Sequence, residues 1–441
     1  MKLSIKSLFS MALLTAMTMM QTSCDELLGE ADNPAPPVSD VTLDETTLEM
    51  VYGNGKDITL EATVSPADTE DYDVTWSSSD ESVATVDDEG VVHAVGAGTA
   101  VITAEAGNKK ATCDVSVVVN LETPLTFEAA KAGATVKFND CDEDIVAPNV
   151  EYSLDGGITW KDDLTAAGVT LASAGDKISF RGTNEAYGAD DYYDCYQFKL
   201  SNETYVYGNV MSLINKDNYP TNKTLTADYA FKVLFQNQTN LKNKDANHQI
   251  YLPATRLTKK CYERMFDNCT SLTVAPVLPG GDTSIDPEAT LAEYCYHEMF
   301  YWCKGLTTAP ELPATTLEEG CYSCMFQGCE SLITAPELSA TTLAESCYYW
   351  MFQGCKKLSS VTCKATDLSA PGCLAYWLKD AGIDESVTSK TIYISSSYSA
   401  YVADMNSDLE GTADNAQINT NVPWKKGIHG IPAGWTIAAA E

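Results

Sequence analysis

The residues of this chain with the most evident chemical potential are cysteines that recur at fixed spacings. The phrase Cys-Tyr-x-x-Met-Phe-x-x-Cys occurs four times, and a degenerate copy follows. The copies begin at Cys261, Cys295, Cys321, Cys347 and Cys373. Regularly spaced cysteines bind zinc or take part in thiol–disulfide chemistry, and one copy carries an extra cysteine, Cys324. The pattern therefore raises two questions, metal binding and disulfide formation.

Metal binding is not favoured by the comparison of the copies. Cys324 occupies a position that is Arg264, Glu298 or Trp350 in the sister copies, so it is a substitution in a variable position. The histidines, His93, His248, His297 and His429, are scattered along the sequence. We therefore expect no metal site in the repeats.

Disulfide bonds are permitted if the protein is secreted. However, equivalent positions of stacked strands lie about 4.8 Å apart, which exceeds the Cβ separation of a disulfide. Cysteine also packs well as a small buried apolar residue. We favour buried thiols in the repeats over a disulfide framework. Outside the repeats, Cys141 and Cys195 are candidates to pair with each other.

The repeat period indicates which elements position these residues. From Cys295 onward the copies are spaced by 26 residues, and the first interval is 34 because Pro279 to Asp286 are inserted. Apolar residues locked to a fixed period are typical of stacked structural units. The Thr-Thr-Leu segment is strand-like, and Cys-Tyr-x-x-Met-Phe has the spacing of a helical turn. We predict a short strand, a bend and one helical turn per copy.

The amino-acid sequence of the copies resembles a known type of repeat. Met-Phe-x-Gly-Cys-x-x-Leu-x-x-Ala-Pro-x-Leu, best seen from Met325 to Leu338, resembles the BspA-like leucine-rich repeats of bacterial surface proteins, which commonly have Ala-Phe where this chain has Met-Phe. The resemblance implies a leucine-rich-repeat solenoid over residues 227–390 and a role in adhesion. Residues 391–441, with a strand at Thr391–Ile394, a helix from Tyr398 to Met405 and Trp435, are predicted to cap the last apolar face.

We expect recognition residues at the positions that vary between copies, which lie between the invariant residues of the motif. Aromatic side chains there can stack on sugars or fill a pocket in a partner protein. The alternative is that they pack on a neighbouring loop. The candidate binding surface comprises Arg264, His297, Tyr301, Trp302, Tyr349 and Trp350.

Two β-rich segments precede the repeats. Residues 40–119 alternate with period two between turn clusters, which predicts a β-sandwich. Val74-Thr75-Trp76-Ser77-Ser78-Ser79 and the glycine-bounded strands after it resemble the group-2 bacterial immunoglobulin-like domain, usually a spacer and sometimes adhesive. In that fold Trp76 is expected in the core. Residues 120–226 also alternate, and we predict a second β-sandwich.

Two motifs in the second segment have competing interpretations. Ser153 to Trp160 fits the Asp box of sialidases, but one copy supports no sialidase, and we interpret it as a hairpin with an Asp-Gly-Gly turn. Acidic side chains in two loops are candidate calcium ligands, although solvated loops are the favoured interpretation. These calcium candidates are Asp140, Asp142, Asp144, Asp190 and Asp191.

The N-terminus has the pattern of a secretion signal. Lys2 and Lys6 precede an apolar stretch that ends at Gln21-Thr22-Ser23-Cys24. This ending resembles a loose lipobox of the Bacteroidota type, which implies that residues 1–23 are removed and that Cys24 is lipidated. The alternative is an ordinary signal peptide. Residues 24–39 read as a Pro-rich acidic tether, and the predicted location is the outer membrane at the cell surface, with membrane contact only through the lipid.

Charge narrows the choice of function. A formal net charge of −34 disfavours nucleic acid as a partner. The leading hypothesis is a non-enzymatic surface lipoprotein that recognises a host or microbial surface protein or glycan. A surface glycan-binding protein for polysaccharide capture is the alternative. A hydrolase ranks third, because no catalytic phrase supports it, although paired carboxylates occur easily in so acidic a chain.

Overall fold

A computed structural model describes residues 37–52, 57–66, 73–96, 98–119, 121–142, 145–245, 248–402, 431–432 and 434–440. The signal peptide, Cys24 and most of the tether lie outside the described residues. Within the described ranges, no helix has both the length and the apolar character needed to cross a membrane.

The N-terminal module, residues 37–119, is built of β-strands whose inward positions are apolar. They are β1 (Asp40–Leu43), β2 (Thr47–Tyr52), β3 (Ile58–Thr59), β4 (Ala62–Ser65), β5 (Thr75–Ser78), β6 (Ala84–Val86), β7 (Val91–Ala94), β8 (Gly98–Ala106) and β9 (Lys109–Val119). The sheets have the orders β1-β4, β2-β9-β8-β5 and β3-β7-β6. All pairs are antiparallel except β2 with β9.

Alternation along β8 shows why this sequence forms a sandwich. Ala100, Ile102 and Ala104 point inward and are buried, whereas the residues between them are partly exposed. Trp76 is half-buried and packs against the two apolar clusters of this module. The prediction of an immunoglobulin-like sandwich with Trp76 at its core is consistent with this arrangement.

The second module also has two facing sheets. Its strands are β10 (Leu125–Ala129), β11 (Ala134–Asp140), β12 (Val150–Ser153), β13 (Val169–Leu171), β14 (Lys177–Gly182), β15 (Tyr196–Leu200) and β16 (Thr204–Asn209), with 3₁₀ helices at Tyr192–Asp194 and Val210–Leu213. Phe127 of one sheet lies 4.5 Å from Phe198 of the other, measured between ring centroids. Phe138 and Phe180 likewise meet across the sheets at 6.3 Å. These rings form the core of a β-sandwich.

The core does not stop at residue 226, where the sequence predicts a domain boundary. Strand β16 pairs in parallel with the short strands β17 (Leu241–Lys242) and β18 (Ile250–Tyr251). Phe198 of the sandwich stacks on Phe235 at 5.7 Å. One continuous cluster of buried residues runs from Leu125 to Ile437. The second sandwich and the repeats therefore share a core.

The repeated phrase forms a chain of turns, and the prediction of a helical turn is wrong. The Met265 N–H donates to the Tyr262 carbonyl three residues earlier at 3.1 Å. The next N–H, that of Phe266, donates to the Met299 carbonyl of the following copy at 2.9 Å. This alternation continues along the segment, and Arg264 has φ 55°. Positive φ at every fourth residue excludes a helix but suits consecutive turns.

The copies stack in register, and the invariant side chains of the motif are buried inside the stack. Tyr262 and Tyr296 lie 5.6 Å apart with an interplanar angle of 5°, and Phe266 and Phe300 lie 5.6 Å apart at 7°. The same parallel stacking continues through the copies. Parallel bridges join Val274, Thr308 and Thr334 on another side of the stack.

The C-terminal residues extend this ladder. Strands β19 (Ser360–Cys363), β20 (Thr391–Ile394) and β21 (Thr436–Ala439) form a parallel sheet in that order. The strand predicted at 391–394 is present. The predicted helix begins instead as a 3₁₀ helix, Ser396–Tyr401, and the remainder of the prediction falls outside the described residues. Trp377 and Trp435 are buried in the core.

The repeat cysteines are buried thiols, the alternative that strand spacing and cysteine packing favour. No disulfide joins the cysteines of the described residues. The second cysteine of each copy donates a hydrogen bond to the phenylalanine carbonyl of the preceding copy, for example from Cys303 to Phe266 at 3.0 Å. Equivalent bonds are made by Cys269, Cys329 and Cys355. Cys141 and Cys195 are also thiols, and the Gln197 amide donates to the Cys141 sulfur at 3.1 Å.

Candidate ligand-recognition surface

Four variable positions in each copy are held at defined places by the turn chain, and we call them slots. In the Cys-Tyr-x-x-Met-Phe-x-x-Cys phrase the first and second slots precede Met, and the third and fourth precede the last Cys. The second and fourth slots have positive φ in every full copy; they hold Arg264, Glu298, Cys324 and Trp350, and Asn268, Trp302, Gly328 and Gly354. Because the backbone geometry repeats, corresponding slots of adjacent copies are neighbours.

The slots of the first copies form a polar network. Arg264 forms an ion pair with Glu298 in the equivalent slot of the next copy. Gln236 donates to the Asp267 carboxylate at 2.6 Å. His297 Nδ1 lies 3.1 Å from the Ser323 carbonyl oxygen. Arg264 and His297, both predicted to bind a ligand, are thus partly engaged within the protein.

Trp302 is the one predicted surface residue that the structure leaves broadly exposed, at 43%. Its indole lies over Gly328 in the next copy, where a Cβ would come within 3.0 Å of the Trp302 ring. The Lys304 ammonium lies 4.7 Å from the ring centroid on the same surface. Tyr301 beside it is half-buried, with ring centroids 6.1 Å apart. A flat aromatic face with a neighbouring cation can contact a sugar ring or a partner side chain.

Tyr349 and Trp350 pack together instead of projecting. Their rings stack at 5.4 Å with an interplanar angle of 8°, and Tyr376 meets Trp350 edge-on at 5.9 Å. Both Tyr349 and Trp350 are half-buried, and the buried indole Nε1 of Trp350 has no hydrogen-bond partner among the described residues. This pair fits the alternative that slot aromatics pack on their neighbours.

His297, Glu298 and Cys324 come together across two copies. One potential ligand atom from each lies within 4.8 Å of the others. Burial lowers the pKa of His297 and raises the pKa of Cys324 to about 11. Comparison of the sister copies treats Cys324 as a substitution at a variable position and does not predict that it meets His297 and Glu298 of the preceding copy.

Comparison with known proteins identifies the first module. Residues 37–115 match the family described as Bacterial Ig-like domain (group 2). This segment is a group-2 Ig-like domain.

The likenesses to curated proteins are partial. An "Alpha-L-arabinofuranosidase" of Bifidobacterium longum subsp. longum (strain ATCC 15707) is 40% identical over 141 residues, 30% of this chain and 12% of that protein. A "3-O-alpha-D-galactosyl-alpha-L-arabinofuranosidase" of Bifidobacterium longum subsp. longum is 54% identical over 50 residues, 11% of this chain and 4% of that protein. The chain thus spans only a small part of either relative.

Two solved structures also show a likeness. The structure of the surface layer protein SbsC, domains 1-6, covers 33% of this chain and 22% of its own at 20% identity and TM-score 0.18. The S-layer protein rSbsC(31-844) covers 43% and 33% at 19% identity and TM-score 0.17.

The Asp-box motif of the second sandwich, Ser153 to Trp160, forms a local hydrogen-bonded structure. The Asp155 carboxylate accepts from the Thr159 hydroxyl at 2.5 Å, and the Trp160 indole donates to the Gly157 carbonyl at 2.9 Å. Gly156 and Gly157 supply the positive φ of the predicted hairpin turn. Hydrogen bonds from Thr159 lower the pKa of Asp155 to about 2.

The calcium candidates do not converge in the described part of the chain, to which Asp144 does not belong. Asp190 accepts from the Tyr229 hydroxyl at 3.1 Å and lies 4.0 Å from Lys260. Asp191 accepts from the Tyr193 N–H at 3.0 Å. Among the described residues, Asp140, Asp142, Asp190 and Asp191 form no group of three with close ligand atoms.

The predicted repeat region, residues 227–390, includes a further copy whose motif is not evident from the cysteine spacing. Ala230-Phe231-x-x-Leu234-Phe235 occupies the place of the cysteine phrase, and Phe231 stacks on Tyr262 at 5.7 Å. The available signal was the Phe-x-x-Leu-Phe spacing with Leu241 after it. In this copy alanine and glutamine replace the two cysteines, so the cysteine spacing does not reveal it.

Proposed function

We propose that this chain is a non-enzymatic cell-surface lipoprotein whose stacked copies, of BspA-like leucine-rich-repeat type, recognise a protein or glycan ligand. The observation that carries the proposal is the separation of the copies into a buried frame and variable slots. Tyr296, Met299 and Phe300 of the frame are 1% exposed or less, whereas Trp302 in a slot is 43% exposed. Residues that differ between copies and reach the surface can encode recognition without affecting the fold.

In this proposal the Ig-like domain acts as a spacer. It joins the N-terminal segment to the sandwich that shares its core with the repeats. A domain in this position would hold the recognition surface away from the cell.

Lipid attachment at Cys24 is tested by palmitate labelling of the wild-type chain and of Cys24→Ser. Labelling of the variant would contradict a lipid anchor at Cys24.

A glycan is the ligand class that a specific observation favours. The exposed Trp302 ring lies over Gly328, and the Lys304 ammonium lies over the ring; an exposed indole of this kind can stack on a sugar. The names of two partial relatives refer to α-L-arabinofuranosides. We therefore propose arabinose-containing polysaccharides as the first glycans to test.

The experiment is a binding screen with the full chain. A fragment that begins at Ala230 would break the contact between Phe198 and Phe235, so the sandwich must be included. Arabinan retardation gels, a glycan array and a panel of host matrix proteins are probed with wild type and Trp302→Ala. Binding that Trp302→Ala loses supports recognition at this surface, and the ligand type separates the glycan from the protein hypothesis. Turnover of an arabinofuranoside by the purified chain would contradict the non-enzymatic proposal.

A further inference from the structure

We propose that His297, Glu298 and Cys324 form a binding site for a divalent transition-metal cation such as Zn²⁺. Adjacent copies contribute the ligands, His297 and Glu298 from one and Cys324 from the next. Their ligand atoms lie within 4.8 Å of one another. An imidazole, a carboxylate and a thiolate are the ligand types that zinc prefers, and hard cations avoid sulfur. This inference does not depend on the proposed recognition function.

The hydrogen bonding of His297 prepares it as a ligand. Its Nδ1 lies 3.1 Å from the Ser323 carbonyl oxygen. A carbonyl can only accept, so Nδ1 carries the proton, and the lone pair of the neutral ring is on Nε2. Nε2 lies 3.5 Å from Glu298 Oε1. Metal-bound histidines commonly donate their other N–H to a carbonyl in this way.

Glu298 is also oriented by a neighbour. Arg264 forms an ion pair with Oε2, which leaves Oε1 directed to His297. The positive charge of Arg264 disfavours binding of a cation. The carboxylates of Glu263 and Asp267 lie close enough to Arg264 to raise its pKa, and their negative charges partly offset that of Arg264. Lys232 and Lys260 are drawn to Glu263, at 3.5 Å and 3.9 Å.

Closure of the site requires small movements. Ligand atoms of a tetrahedral zinc site are separated by about 3.3–3.8 Å, so the three side chains must approach one another by roughly 1 Å. Cys324 stands in a variable slot outside the rigid frame. Three protein ligands leave a fourth position for water. Binding replaces the S–H bond of Cys324 with a sulfur–metal bond and releases one proton to solvent.

The test is titration of the reduced full chain with Co²⁺ and Zn²⁺. We expect a near-ultraviolet thiolate-to-cobalt band at one equivalent of Co²⁺ and its displacement by Zn²⁺. Cys324→Ser should abolish the band and weaken Zn²⁺ binding in calorimetry at least about tenfold. His297→Gln should weaken Zn²⁺ binding similarly but retain a thiolate band at high Co²⁺. The position of Cys324 is occupied by Arg, Glu or Trp in the sister copies, so we expect Cys324→Ser to fold. Circular dichroism will check this.

Matched controls are Cys141→Ser and His248→Gln, which remove a cysteine and a histidine elsewhere. Both should bind like wild type. The absence of a thiolate band in the wild type overturns the proposal without any variant. Unchanged Zn²⁺ affinity in folded Cys324→Ser and His297→Gln also overturns it.

Discussion

The Trp302 indole rests on the backbone of Gly328 in the next copy. A Cβ built on Gly328 would lie 3.0 Å from the Trp302 Cδ1 atom, closer than carbon atoms normally approach. Gly328 also has φ 76°, a conformation that disfavours other residues. The exposed aromatic face thus depends on a glycine in the neighbouring copy.

Gly328→Ala is expected to displace Trp302 and weaken ligand binding. The added methyl group would crowd the underside of the indole, so we expect the ring to shift from its present position. Gly354→Ala is the matched control, because Gly354 has φ 70° but its Cβ would be 3.8 Å from the nearest atom. Both variants should lose about 1 kcal/mol of stability from backbone strain. Only Gly328→Ala should shift the tryptophan emission and reduce binding; equal effects of the two variants would refute the dependence.

Trp302→Ala and Trp350→Ala are expected to have opposite consequences. Trp302 is 43% exposed, so its removal should abolish binding and lower the free energy of unfolding less than removal of Trp350 does. Trp350 stacks on Tyr349 and contacts Tyr376, so its removal should cost about 1–3 kcal/mol. Urea denaturation and the arabinan or protein binding assay measure the two effects. A stability loss in Trp302→Ala equal to that in Trp350→Ala would show that both are packing residues.

The stacked frame was predictable because its signal is repeated. Tyr296 and Phe300 recur with one period, so each side chain packs on its own equivalent and burial follows from the sequence. The local backbone was not predictable in the same way. The Tyr-x-x-Met-Phe spacing suits a helical face, but Arg264 and Glu298 adopt positive φ because alternate N–H groups bond to the next copy. Contacts between copies override the local preference for helix.

The slot chemistry was only partly predictable, because it depends on which residues meet between copies. Tyr349 and Trp350 are as aromatic as Trp302, yet Tyr376 of the next copy packs on Trp350, and Gly328 leaves Trp302 exposed. The candidate surface predicted from the sequence combines Tyr349 and Trp350 with Trp302. Aligning each slot with the slot of the following copy would have separated them.

Thiol labelling is expected to distinguish the frame cysteines from Cys141. Cys303 and Cys329 are fully buried and donate to carbonyl groups, and burial raises their pKa values. Cys141 is only half-buried. Burial also raises the pKa of Cys141, to about 11, so its greater exposure is what distinguishes it. Native protein treated with a maleimide should therefore react at Cys141 before the frame cysteines, as peptide mass spectrometry will show.

Unfolding in urea without reductant provides the second arm of this test. All frame cysteines should then become labelled, because they are thiols. Cysteines that stay unlabelled until a reductant is added would instead be disulfide-bonded. Rapid native labelling of Cys303 would contradict the buried frame.

Glu128→Gln is expected to remove part of the acid sensitivity of the second sandwich. Burial alone would raise the pKa of Glu128, but hydrogen bonds from Lys244 at 2.8 Å and Tyr207 at 2.9 Å hold it below its usual value. A carboxylate with a lowered pKa stabilises the folded state above its unfolded pKa of about 4.3, and this contribution is lost as the pH falls through the folded pKa. The variant should therefore be less stable by about 1–2 kcal/mol at pH 7, with a smaller difference near pH 3.

Urea denaturation of wild type and variant at the two pH values measures this convergence. Glu203→Gln is the control, because Glu203 also pairs with two lysines, Lys131 and Lys242, but on the surface. Solvent screens such pairs, so this change should have little effect at either pH. If Glu128→Gln lost as much stability at pH 3 as at pH 7, the effect would come from packing, because the contribution of a carboxylate with a lowered pKa shrinks once the pH falls below its unfolded pKa.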